Sequence, residues 1–148
     1  MPTARILVVD DDSDHRKMVR DVLVTAAFDV CEARDGVDGL MQVEAFKPDL
    51  IPLDLIMPGL DGHTVCRTLQ EEPATRVIPV IVFTGSPDPQ LHSRVYAAGA
   101  VACITKPFRP AALLAVIHVT LQGVVRREQR RKSKRASAEP AERGEADE

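Results

Sequence analysis

Two hydrophobic periodicities alternate along the first 122 residues of the chain. Five short apolar runs, rich in β-branched residues, each precede a longer stretch whose apolar residues recur at helical spacing. These runs are Ile6–Val9, Val30–Ala33, Leu50–Leu53, Val80–Phe83 and Val101–Ile104. Strands that alternate with helices pair in parallel through right-handed crossovers, and strands buried on both faces form continuous apolar runs. The sequence therefore predicts an α/β fold, a doubly wound (βα)5 parallel sheet.

Length and cysteine usage exclude several classes of protein. No apolar run in the 148 residues approaches the roughly 18 that a membrane-spanning helix needs, and no segment has the form of a secretory signal. The 3 cysteines, Cys31, Cys66 and Cys103, lack the paired spacing of a disulfide framework or a zinc site. We therefore expect a cytoplasmic protein whose cysteines are small apolar core residues.

Charge divides the chain into three parts. Residues 1–125 carry 11 basic and 16 acidic side chains, residues 126–135 carry 7 and 1, and residues 136–148 carry 1 and 5. Apolar content falls sharply after residue 122. We predict a folded domain over residues 1–122 and a charged tail over residues 123–148, helical at first and then disordered. The basic segment also makes non-specific nucleic-acid binding an alternative function, although the acidic body and tail disfavour it.

Charged and hydroxyl side chains stand at the predicted strand ends. Asp10, Asp11 and Asp12 follow the first strand, Asp54 follows the third, Thr84 ends the fourth and Lys106 follows the fifth. Ligands of an open α/β sheet bind beyond the carboxyl ends of its strands. Clustered carboxylates repel each other unless a cation lies among them, and Mg²⁺ is the hard cation that also shares phosphate oxygens. The pattern predicts a magnesium site suited to phosphoryl transfer onto a carboxylate. Asp12 is expected to be a solvated neighbour or a helix cap, and Asp61 is expected to cap the third helix.

Four linked motifs give the chain a family resemblance. The segments ILVVDDD, PDLIPLDLIMPGLDG, VFTG and ITKPF, in this order and spacing, resemble the receiver domain of bacterial two-component response regulators over roughly residues 4–122. The resemblance implies a flavodoxin-like sheet with strand order 2-1-3-4-5. It implies Asp54 as phosphoacceptor, Thr84 as switch hydroxyl and Lys106 as phosphate partner, with the Lys106-Pro107 bond cis. Asp10, Asp11, Asp54 and the backbone carbonyl of Ile56 would hold Mg²⁺.

The same resemblance implies a signalling function. The chain would be a stand-alone receiver, similar to a chemotaxis regulator, that takes a phosphoryl group from a sensor histidine kinase or a histidine phosphotransfer protein. Output would be a contact with a downstream protein through the fourth helix, fifth strand and fifth helix, from a monomer or a phosphorylation-linked dimer. Turnover as an enzyme is not expected, because Ile56 stands where aspartate-nucleophile phosphatases place a second acid. A receiver-shaped scaffold that signals without phosphorylation is the other alternative.

Several residues depart from the family pattern or stand outside it. Cys103 stands where the family usually has an aromatic residue, whose side chain swings inward when the switch threonine moves. A cysteine at this position would alter the surface that downstream proteins contact. Pro52 lies in the predicted central strand, where its missing N–H deletes a ladder hydrogen bond. In the family that the chain resembles, two positions tune phosphoryl lifetime; they correspond here to Ile56 and Ser86, and apolar Ile56 would imply a long lifetime. The four histidines, His15, His63, His92 and His118, are expected to be surface or helix-packing residues.

Overall fold

Five parallel strands form one sheet in the order β2-β1-β3-β4-β5. This computed structural model describes residues 3–124 and residue 130. The strands are β1 (Arg5–Val9), β2 (Asp29–Ala33), β3 (Ile51–Asp54), β4 (Val80–Thr84) and β5 (Ala102–Thr105). All five lie within one residue of the predicted runs at either end, and the flavodoxin-like strand order is confirmed.

Six helices are present among the described residues. They are α1 (Ser13–Thr25), α2 (Gly36–Phe46), α3 (Gly62–Glu71), α4 (Pro73–Arg76), α5 (Pro89–Ala97) and α6, described over residues 110–124. The single turn α4 was not predicted, because four residues are too few to show a helical period. Pro73 begins it, and the Thr75 hydroxyl ties it to the end of α3 by donating to the Leu69 carbonyl at 2.7 Å. None of the described helices is long and apolar enough to cross a membrane.

Aspartates set the starting points of four helices. The side chains of Asp12, Asp35, Asp61 and Asp88 accept hydrogen bonds from backbone N–H groups in the first turns of α1, α2, α3 and α5. These N–H groups have no partner within the helix, so each cap supplies one. The predicted caps at Asp12 and Asp61 are confirmed. Asp12 and Asp61 also fix where the chain turns away from the sheet edge after β1 and β3.

The core has two halves, one on each face of the sheet. Alternate strand residues such as Leu7 and Val82 pack with residues of α2, α3 and α5, whereas Ile6 and Phe83 pack with residues of α1 and α6. Leu7, Ile6 and Phe83 are fully buried. Burial on both faces explains why the strands are continuous apolar runs. The sheet is therefore a rigid base for the residues at its edge.

Pro52 interrupts one ladder of the sheet and leaves the other intact. β3 pairs with β4 at every residue from Ile51 to Asp54, including Pro52 with Ile81. Toward β1, pairing is limited to Ile6 with Leu50 and Val9 with Leu53. Leu7 N–H donates to the Leu50 carbonyl, and the next bond of a regular parallel ladder would run from residue 52 to the Leu7 carbonyl. The hydrogen bond predicted to be missing is therefore one between β1 and β3. The two strands keep the same register on both sides of Pro52.

The tail predictions fall almost wholly outside the described residues. Helix α6 extends past residue 122, at least to residue 124. The domain boundary at residue 122 and the tail over 123–148, helical at first and then disordered, stay predictions.

Candidate metal centre at the carboxyl edge of the sheet

Three carboxylates meet where β1 and β3 end. One oxygen from each of Asp10, Asp11 and Asp54 lies within 4.8 Å of the others. Asp10 is fully buried, Asp54 is 7% exposed and Asp11 faces solvent. All three residues were predicted as metal ligands from the sequence, and the fold brings them together.

Gly62 lies directly behind Asp54. Its N–H donates to the Leu55 carbonyl at 2.8 Å, which ties the start of α3 to the chain just beyond β3. A Cβ at this position would lie 2.4 Å from the Asp54 carbonyl oxygen and 2.8 Å from the Leu55 Cα. Since both contacts are to backbone, only glycine allows α3 to approach this closely. The approach fixes the backbone that carries Asp54.

Lys106 brings a positive charge to Asp54 from the end of β5. Its Nζ lies 3.0 Å from Asp54 Oδ1, and its backbone N–H donates to the Thr84 carbonyl at 2.7 Å. The following bond, Lys106-Pro107, is cis, as the family resemblance implied. Three strands, β3, β4 and β5, therefore meet through Asp54, Thr84 and Lys106.

The Asp54 carboxyl has a raised pKa. Burial is the largest cause, and the nearby charges of Asp10 and Asp11 act in the same direction. The hydrogen bond and charge of Lys106 oppose them without cancelling them. Asp54 is thus a carboxylate whose negative charge is only partly compensated by the chain. A cation among the three carboxylates would complete that compensation.

Asp10 is held at both of its carboxylate oxygens. Its Oδ1 accepts from the Asp12 N–H at 3.0 Å, and its Oδ2 lies 2.5 Å from His15 Nδ1. Burial alone would raise the pKa of Asp10. The hydrogen bonds from His15 and Asp12, with the charges of Lys106 and His15, outweigh burial and hold that pKa below its usual value. Asp10 is therefore an ionised group with a fixed orientation.

Thr84 is buried at the end of β4, beside Asp54. Phe83 pairs with Asp54, so Thr84 stands one residue further toward the edge. The Thr84 Oγ1 accepts a hydrogen bond from the Ser86 N–H at 3.1 Å. His92 Nε2, on α5, lies 2.8 Å from the Ser86 carbonyl, and because a carbonyl can only accept, Nε2 is the donor. Thr84 is thus linked to α5 through the loop that follows it.

The residues present fit Mg²⁺. Hard divalent cations take oxygen ligands, and Mg²⁺ uses one or two carboxylates while keeping waters that a phosphate can replace. The three carboxylates offer such oxygens at close range. Ile56, whose carbonyl was the further predicted ligand, lies just beyond β3 with its side chain 75% exposed. That carbonyl's role as a ligand stays a prediction.

His15 is the residue at this edge that the sequence analysis missed. It was expected to be a surface or packing residue, but its ring combines packing with the bond to Asp10. Its position in the first turn of α1 carried one weak signal, namely an imidazole five residues after an aspartate that directly follows a strand. His118, by contrast, lies against Phe28 at the opposite end of the sheet.

Cys103 is half-buried in β5, and an aromatic side chain reaches it from another element. The Cys103 N–H donates to the Tyr96 hydroxyl at 3.2 Å. Tyr96 is on α5, is about half exposed and is the chain's single tyrosine. The backbone of Cys103 is therefore in contact with a tyrosine that comes from α5. Cys66 is buried as expected, whereas Cys31 and Cys103 are partly exposed.

Comparisons with known proteins show which family the chain resembles. The family model for the response regulator receiver domain matches residues 6–118. The chain is 37% identical over 118 residues to the DNA-binding dual master transcriptional regulator RpaA of Synechocystis, covering 80% of this chain and 49% of that protein. It is 38% identical over 113 residues to the response regulator PleD of Caulobacter vibrioides, covering 76% and 25%. The chain spans about half, or a quarter, of the length of these relatives.

Solved structures share the fold. A putative response regulator from Chloroflexus aurantiacus superposes with a TM-score of 0.78 at 30% identity, covering 82% of this chain and 99% of that one. The chemotaxis protein CheY4 of Vibrio cholerae superposes with a TM-score of 0.76 at 28% identity, covering 79% and 98%. The chain belongs to the response regulator receiver domain family.

Proposed function

Since the chain belongs to the receiver domains of response regulators, a family of signalling domains, we propose that it accepts a phosphoryl group on Asp54. The donor would be a phosphohistidine of a sensor histidine kinase or a histidine phosphotransfer protein. One observation supports this most strongly: a nearly buried Asp54 that touches Lys106 and lies within 4.8 Å of two further carboxylates. That arrangement concentrates negative charge around one nucleophile and supplies one fixed cation.

Asp54 is the nucleophile of the proposed reaction. An oxygen of its carboxylate forms a bond to phosphorus while the bond from phosphorus to the donor's imidazole nitrogen breaks. Lys106, which contacts Asp54 Oδ1 at 3.0 Å, is placed to donate to an oxygen of the transferred group. Asp10, Asp11, Asp54 and the Ile56 carbonyl would hold Mg²⁺, which when bound neutralises charge on the phosphoryl oxygens.

Thr84 is the proposed switch. Its hydroxyl now accepts from the Ser86 N–H, and its own hydrogen is free to be donated to a phosphoryl oxygen on the neighbouring Asp54. Movement of Thr84 toward Asp54 would pull on the loop that His92 holds at Ser86. The change would therefore reach α5 and the face formed by α5, β5 and α6. A downstream protein is the proposed reader of that face.

Self-catalysed hydrolysis of the phosphoryl group is proposed to be slow. Ile56 stands two residues after Asp54 and its side chain points into solvent. It has no atom that can accept a proton from a water or orient one. The chain would thus act as a switch that stores a phosphoryl group and not as a phosphatase.

The first experiment is intact-mass measurement after incubation with acetyl phosphate, a small phosphodonor. We expect a gain of one phosphoryl group that requires Mg²⁺ and is absent in Asp54→Asn. Thr84→Ala is the matched comparison, because it keeps the nucleophile and is expected to keep the gain. A phosphoryl group in Asp54→Asn, or none in the wild type under any metal condition, would contradict the proposal. The second result would favour a scaffold that signals without phosphorylation.

Nucleic-acid binding through residues 126–135 is a weaker alternative. The segment lies outside the described residues except for Arg130, so its support is the basic charge alone. Loss of heparin retention on removal of the segment would favour it.

A further inference from the structure

We infer that His15 is a positioning residue of the metal centre: it holds the Asp10 carboxylate in the orientation that binds Mg²⁺. The inference rests on the proposed function and extends it to a residue on α1. His15 Nδ1 lies 2.5 Å from Asp10 Oδ2, and the histidine side chain is only 16% exposed. This is a close contact between an imidazole and a buried carboxylate of the cluster.

The direction of this hydrogen bond follows from metal binding itself, which requires a deprotonated carboxylate. An ionised carboxylate can only accept, so His15 Nδ1 carries the hydrogen. The Asp12 N–H occupies the other oxygen, Oδ1, at 3.0 Å. With a donor on each oxygen, the carboxylate cannot turn freely about its bond to Cβ. Each carboxylate oxygen still has a lone pair for a metal.

Aromatic packing fixes the ring that makes this bond. The His15 ring meets Phe83 and Phe108 edge-on, at centroid distances of 5.7 and 5.6 Å. The two phenylalanines stack on each other at 4.9 Å. Phe83 precedes Thr84 and Phe108 follows Lys106 by two residues, so the ring rests on the two segments that carry the proposed switch and phosphate partner. His15 thus joins the Asp10 carboxylate to both segments.

The expected consequence is a change in metal affinity. Groups that orient a metal-binding side chain typically change affinity about 10- to 100-fold when they are removed. His15→Phe keeps an aromatic ring against Phe83 and Phe108 and removes the donor. His15→Asn removes the ring and keeps an amide nitrogen where Nδ1 lies. The two variants separate the hydrogen bond from the packing.

The test is a titration of each protein, used as the whole 148-residue chain, with MgCl₂. Binding is monitored by the amide chemical shifts of residues 10–12 and 54–57. We expect His15→Phe to bind Mg²⁺ about 10- to 100-fold more weakly than wild type and His15→Asn to stay within about threefold. His118→Phe, at the other end of the sheet, is the matched histidine control and should match wild type. If His15→Phe does not fold, His15→Gln replaces it. Its amide reaches the place of Nε2 instead of Nδ1, so it should bind more weakly than His15→Asn.

Three results would overturn the inference. Equal or tighter Mg²⁺ binding by His15→Phe would show that the bond to Asp10 does not support the metal site. Weaker Mg²⁺ binding by His15→Asn than by His15→Phe would assign the effect to packing of the ring and not to the hydrogen bond. Absence of Mg²⁺ binding in the wild type would overturn both this inference and the proposed function, whereas the first two results leave the proposed function standing.

Discussion

Gly62→Ala is expected to destabilise the fold and to displace Asp54, the proposed phosphoacceptor. The new Cβ would lie 2.4 Å from the Asp54 carbonyl oxygen, so α3 and the end of β3 must separate by about 1 Å to reach ordinary contact. Forcing a methyl group into such a contact costs about 3 kcal/mol. The lower backbone entropy of alanine in the unfolded chain offsets roughly 1 kcal/mol of that. The net loss is about 2 kcal/mol of unfolding free energy, or about 7 °C in melting temperature.

Gly123→Ala is the matched control for this prediction. Gly123 lies in α6, and a Cβ there would meet nothing within 4 Å. Alanine should therefore stabilise the helix by about 0.5–1 kcal/mol. Thermal unfolding followed by circular dichroism, with Mg²⁺-dependent phosphoryl uptake measured in parallel, tests both variants. An unchanged melting temperature in Gly62→Ala, or a loss in Gly123→Ala as large as that in Gly62→Ala, would refute the reasoning.

Three further predictions concern stability and phosphoryl lifetime. Pro52→Val should raise the unfolding free energy by about 1 kcal/mol, because it restores an N–H for the Leu7 carbonyl; an unchanged melting temperature would disprove that penalty. The raised pKa of Asp54 means that the folded state binds a proton more tightly, so stability falls as pH rises above the ordinary value of 3.8. Without Mg²⁺, Asp54→Asn should therefore have a higher melting temperature than wild type at neutral pH, and the difference should vanish below pH 3.8. Equal melting temperatures at neutral pH would count against this reasoning. Ile56→Asn should shorten the phosphoryl half-life by supplying a polar group that can orient water, and a wild-type half-life of seconds would contradict the slow hydrolysis proposed here.

Much of the fold could be predicted because local patterns and burial agree along the chain. Continuous apolar runs such as Val80–Phe83 are typical of strands covered on both faces, and Asp12 and Asp61 mark helix starts by their capping chemistry. Asp10 and Asp54 could be placed at one edge because parallel strands end on the same side. The one-turn helix α4 could not be predicted, since its four residues contain no period.

The contacts that could not be predicted from the sequence join elements that are distant from each other in the chain. Nothing local to His15 shows that its ring rests on Phe83 and Phe108, because those contacts depend on how α1 packs across the sheet. Likewise, nothing local to Cys103 shows that its backbone N–H bonds the Tyr96 hydroxyl, because that contact depends on how α5 packs beside β5. Such contacts depend on how helices pack against the sheet, and the local pattern of a single sequence does not reveal that packing.

The most direct test of the central claim is to locate the phosphoryl group. Sodium borohydride reduces an aspartyl phosphate to homoserine, so the treated protein can be digested and each aspartate identified by peptide mass spectrometry. We predict homoserine at position 54 in protein phosphorylated with Mg²⁺ and unmodified Asp54 in protein incubated without it. Homoserine at Asp10 or Asp11 instead, or an acid-stable phosphate on another residue type, would contradict the assignment of Asp54 as the phosphoacceptor.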